Sequence, residues 1–135
     1  MVGTTGPHHG RCLCEAVTVT VDCDLAPVSF CHCSQCRRQT GLYYATTSAP
    51  TSAVHISGEE HVSRYRSSPD AERGFCRHCG SALFWKADGE EIISLMAGLF
   101  DKPTGLTGGY HIYCADKGDF YEISEALPAF DASKT

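Results

Sequence analysis

Cys31-His-Cys-Ser-Gln-Cys-Arg37 puts three cysteines and a histidine into seven consecutive positions. Thiols this close either complete a closed metal site with ligands from elsewhere, or hold an ion from one side and leave a coordination position open. The rest of the chain shows what support such a loop has.

A chain of 135 residues is the size of one domain, read as 1–135 with a core of about 10–130 and loose termini at 1–9 and 131–135. A hydrophobic fraction of 42% and a charged fraction of 20% suit a soluble globular protein, and no apolar run approaches the roughly 18 residues of a membrane helix. Residues 1–12, MVGTTGPHHGRC, have neither the basic start nor the apolar stretch of a secretory signal, so the expected location is cytoplasmic. A formal net charge of -5 argues against nucleic acid as a partner, because non-specific binding rests on neutralising phosphates with Lys and Arg. Nine cysteines are an odd number and fall short of a disulfide scaffold. In a reducing compartment, clustered thiols point to metal instead.

Residues 16–21 alternate so that Val17, Val19 and Val21 point one way, the pattern of a strand with one buried face. Further strands are expected at 42–47, 54–57, 61–65, 82–86, 92–97 and 110–114, separated by Gly, Pro, Ser and Asp clusters that build turns. Only residues 34–39 suggest a helix, with Ser34 available as N-cap and Thr40-Gly41 closing it. Short strands without helical periodicity predict a mainly β fold of small antiparallel sheets with at most short helical turns. Phe30, Leu83, Phe84, Trp85, Ile92, Ile93, Leu95, Leu99, Ile112 and Ile123 make a modest expected core, and bound metal would add stability to it.

Seven of the nine cysteines fall in three groups: Cys12 and Cys14; Cys31, Cys33 and Cys36; Cys76 and Cys79, followed by Gly80. A CxxC turn brings two thiolates to one ion, and a following glycine eases the chain as it doubles back. Seven thiols divide naturally as four plus three, a closed tetrahedral site and an open one. Spacing alone leaves a second partition, in which Cys33 and Cys36 pair with Cys76 and Cys79 as a zinc ribbon with a 39-residue insert. Geometry favours keeping the compact triad on one ion.

Gly10-Arg-Cys-Leu-Cys14, Cys31-His-Cys-Ser-Gln-Cys-Arg37 running into Thr40-Gly41, Phe75-Cys-Arg-His-Cys-Gly80, and His111-Ile-Tyr113 with Leu127-Pro-Ala-Phe130 occur in this order over residues 10–130. Together they resemble the glutathione-dependent formaldehyde-activating enzyme family, which includes centromere protein V. The resemblance implies a β-tent pinned by two zinc ions, with Cys12, Cys14, Cys76 and Cys79 on a structural zinc and Cys31, Cys33 and Cys36 on a catalytic one. It implies a carbon–sulfur lyase acting on glutathione and a small aldehyde, formaldehyde giving S-(hydroxymethyl)glutathione. Where family members often carry a tryptophan after the His-Ile pair, this chain has Phe120-Tyr121.

Glutathione carries two carboxylates, which makes Arg37 and Thr40, beside the triad, candidate substrate contacts. His32 and His78 read as turn residues facing solvent, and His111, opening an apolar strand, as a structural histidine. Cys23 has no activating cation near it in sequence and reads as inert. Two other functions compete: a noncatalytic zinc-stabilised protein-binding module, and a methionine sulfoxide reductase-like enzyme with Cys114 as redox nucleophile.

Overall fold

The computed structural model describes residues 6–134, and in it the chain is mainly β, with one α-helix, a few 3-10 turns and no closed barrel. The elements are β1 (His8–Arg11), β2 (Thr18–Val21), β3 (Val28–Cys31), α1 (Ser34–Thr40), β4 (Tyr44–Pro50) and β5 (Val54–Ser57). There follow β6 (Val62–Ser68), β7 (Ala71–Cys76), β8 (Ala82–Ala87), β9 (Ile92–Met96) and β10 (Gly108–Ile112). One sheet runs β1-β2-β5 and the other β10-β3-β4-β9-β8-β7-β6. Of the termini expected to be loose, residues 8 and 9 belong to β1, and Tyr113 and Cys114 donate to the carbonyls of Ala132 and Phe130. Residues 1–5 and 135 lie outside the described residues.

Val17, Val19 and Val21 are at most 2% exposed, as the alternation requires, and pack with Leu83, Phe84, Ile93 and Leu95 from the larger sheet. Cys12 and Cys76 belong to the same cluster, so the first and third cysteine groups meet at the edge of the core. Ile92 departs from the expected core at 56% exposed: on β9 it alternates with Ile93, and only one of two successive side chains can face inward.

Among the named strands pairing is antiparallel with one exception. β10 pairs parallel to β3, setting His111 opposite Phe30 and Ile112 opposite Cys31. This pair forms the edge of the large sheet, and it carries the start of the thiol triad. β3 enters the triad at Cys31, and α1 begins three residues later. The helix cap is Cys33, whose sulfur accepts from the Cys36 N–H at 3.4 Å, rather than the expected Ser34. Gly41 ends α1 at φ 85°, a left-handed conformation that glycine adopts without cost, and its N–H closes on the Arg37 carbonyl.

Candidate metal centres

The sulfurs of Cys12, Cys14, Cys76 and Cys79 all lie within 4.8 Å of one another, and those of Cys31, Cys33 and Cys36 do likewise. The ribbon partition of Cys33 and Cys36 with Cys76 and Cys79 is therefore not formed. In the first group Cys14 Sγ is 3.7 Å from both Cys12 Sγ and Cys76 Sγ. Four sulfurs about 2.3 Å from a tetrahedral zinc stand roughly 3.8 Å apart, and both of these spacings suit that ion. Local structure explains the approach. Cys12 and Cys14 sit on the β1–β2 loop, with the Cys12 N–H bonded to Val17, while Cys76 and Cys79 flank a turn in which the Gly80 N–H closes on Cys76. Gly80 is at φ 79° with open space where a Cβ would point, so backbone conformation rather than crowding calls for glycine there.

The triad differs in having three donors: among the described residues no fourth Cys, His, Asp or Glu joins it. Cys36 is buried and Cys31 and Cys33 are half-buried, and all three line a cavity of about 910 Å³. That volume suits a small-molecule ligand. Crowding separates the thiols' proton affinities. Hydrogen bonds from Cys31 and Cys36 hold Cys33 down at about 2, while the same contacts push Cys31 up. A cation among the three sulfurs would favour their ionised forms together.

His32, between two of these cysteines, does not face solvent. It is 1% exposed, with Nδ1 2.6 Å from Tyr121 Oη and Nε2 2.9 Å from His111 Nδ1. The expectation fails because the turn packs against β10 and the segment beyond it, contacts that sequence distance conceals. Burial, with His111 and Lys117 nearby, pushes His32 down to about 4, so its imidazole is neutral. Phe30 stacks on His111 and Tyr43 packs on His32, completing an aromatic cluster around His32. Tyr121, in the Phe120-Tyr121 pair, contributes the hydroxyl of the contact with His32 Nδ1. His78 does reach the surface, where Nε2 is 2.8 Å from His61 Nδ1.

Arg37 and Thr40 are absent from the lining of the triad cavity. Thr40 Oγ1 is taken up in closing α1, 2.8 Å from the Cys36 carbonyl and accepting from the Leu42 N–H. The charged residues that do line it are Arg73, Asp116 and Lys134. Arg73 had no signal in sequence beyond lying three positions before Cys76. The C-terminal segment had none for Lys134, which arrives with its Nζ 4.7 Å from the Tyr110 ring. Cys114 is outside the lining, and burial pushes its thiol up, away from the nucleophilic form. Cys23 donates to the Asp24 carbonyl and belongs to neither thiol cluster.

No helix among the described residues is long and apolar enough to cross a membrane. Residues 7–116 match the family model described as glutathione-dependent formaldehyde-activating enzyme. A curated Schizosaccharomyces pombe protein described as an uncharacterized lyase is 30% identical over 124 residues, 91% of this chain and 90% of that one. A crystal structure of a Rhodobacter sphaeroides protein superposes with a TM-score of 0.58 at 28% identity, covering 70% of this chain and 88% of the other.

Proposed function

Because the chain belongs to the glutathione-dependent formaldehyde-activating enzyme family, we propose that it is a zinc-dependent carbon–sulfur lyase that joins a thiol to a small aldehyde and splits the adduct again. Glutathione and formaldehyde, giving S-(hydroxymethyl)glutathione, are the substrates the family suggests. The observation that carries the reading is the three-thiol cluster on a large cavity with no fourth protein donor among the described residues.

Cys31, Cys33 and Cys36 would hold the catalytic zinc, and Cys12, Cys14, Cys76 and Cys79 the structural one. A zinc ion held by Cys31, Cys33 and Cys36 would supply a Lewis acid that lowers the pKa of an arriving thiol from about 8.5. Addition forms one S–C bond and moves the thiol proton to the carbonyl oxygen; cleavage reverses both, and no oxidant or reductant is consumed. The aromatic cluster around His32 keeps the Cys31–Cys33 backbone in one shape, so the thiol triad is organised before substrate arrives. The carboxylates of glutathione would meet Lys134, and its ammonium Asp116, rather than Arg37 or Thr40, since only the first pair lines the cavity.

A noncatalytic module gives no account of an incomplete thiol cluster opening onto a cavity. Sulfoxide reduction through Cys114 has neither the location nor a low thiol pKa in its favour. Exchange NMR on mixed glutathione and formaldehyde tests the proposal. The zinc-loaded protein should accelerate interconversion with S-(hydroxymethyl)glutathione beyond the buffer rate, and Cys33→Ser should abolish the excess. A protein carrying two zincs that leaves the buffer rate unchanged refutes glutathione and formaldehyde as its pair.

A further inference from the structure

Arg73 is charged and buried, and no carboxylate answers it. It is 5% exposed, and among the described residues none of the ion pairs includes it. Its Nη1 donates to Gln39 Oε1 at 2.9 Å, and its Nη2 lies 3.3 Å from Gln35 Oε1 and 3.5 Å from Cys36 Sγ. The guanidinium also lies over the Tyr44 ring, 4.8 Å from its centroid. Two amides and an aromatic face solvate a cation without balancing its charge. Buried charges are costly enough that folded proteins pair them.

The balancing charge is on the sulfurs. Three thiolates around a divalent ion leave one net negative charge. Gln35 and Gln39 are one turn apart on α1, flanking Cys36, so the helix that supplies a ligand also aims the guanidinium at it.

Resting on the reading of the triad as a zinc site, we infer that Arg73 is its charge-balancing and positioning residue: aimed by Gln35 and Gln39, it offsets the surplus negative charge of Cys31, Cys33 and Cys36 and sets how tightly they hold the ion. Lys cannot fully replace it, because one ammonium does not reach both amides with the fixed fork of a guanidinium.

The test is zinc stoichiometry and chelator competition on the full-length protein for wild type, Arg73→Met and Arg73→Lys. Wild type should carry two zincs of separable affinity, the four-cysteine zinc serving as the folding control in both variants. Arg73→Met should weaken the triad zinc about 10–100-fold, the scale for losing an outer-shell partner, with Arg73→Lys recovering most of it. Equal triad affinity in wild type and Arg73→Met overturns the inference, and so does Arg73→Lys as weak as Arg73→Met. If Arg73→Met also loses the four-cysteine zinc, Gln39→Leu takes its place: it withdraws a fork acceptor and keeps the charge. A several-fold weaker triad zinc in that variant supports the inference, and an unchanged one overturns it. A wild type with one zinc, or a Cys31→Ser variant that keeps both, overturns the triad's metal reading together with this inference. Two zincs with an indifferent Arg73 overturn this inference alone.

Discussion

Cys14 Sγ stands 3.7 Å from Cys76 Sγ, although the two are 62 positions apart in the chain. Cys14 lies on the β1–β2 loop of the small sheet and Cys76 ends β7 of the large one, so the contact clamps the two sheets at the edge of their shared core. Structural zinc contributes about 10–16 kcal/mol in small domains, against a total stability of about 5–15 kcal/mol. Cys14→Ser should therefore abolish the cooperative thermal transition of the zinc-loaded protein. A circular-dichroism melt matching wild type would show that the hydrophobic core suffices.

Cys33→Ser should behave differently. The triad lies on the β3–α1 junction, outside the main apolar cluster, so its loss should leave one bound zinc and a near-native melt while thiol–aldehyde exchange falls to the uncatalysed rate. Metal analysis and exchange NMR on one preparation would separate the two effects.

Tyr121→Phe removes the hydroxyl 2.6 Å from His32 Nδ1 and leaves that buried nitrogen without its partner. An orphaned buried polar group costs about 1–3 kcal/mol, and urea denaturation should show a loss in this range. Exchange activity should fall further than stability alone explains, because His32 holds the turn between Cys31 and Cys33.

Lys134→Ala should raise KM for glutathione several-fold and leave KM for a small uncharged thiol unchanged. Equal effects on both thiols would place Lys134 in packing rather than recognition.

Gly74→Ala tests the packing of the large sheet. A Cβ at Gly74 would run into the Phe84 ring, which is 2% exposed. Overpacking of this kind costs about 1–3 kcal/mol, measurable as a lower denaturation midpoint with unchanged zinc content.

Much of the β architecture is legible in the sequence because alternation survives where one face is apolar, as in Val17, Val19 and Val21. β1, β3 and β7 escape that reading for separate reasons. β1 is His-His-Gly-Arg, with little apolar signal, and β3 is four residues behind Pro27. β7 reads Ala-Glu-Arg-Gly-Phe-Cys, and its inward face includes Arg73, a charge that periodicity assigns to solvent. The strand was hidden by the residue that makes it chemically interesting.

The grouping of seven cysteines was legible because ligand spacing is a local property: a CxC or CxxC turn presents its sulfurs together whatever lies around it. Spacing left two partitions of the seven open, and the fold decides for four and three, since Cys12 and Cys14 meet Cys76 and Cys79 only when the two sheets pack. The cavity lining, the burial of His32 and the approach of Arg73 to Cys36 also belong to tertiary structure alone. Each depends on segments tens of residues apart being brought together, and neither periodicity nor motif spacing records which side chains a folded chain will set face to face.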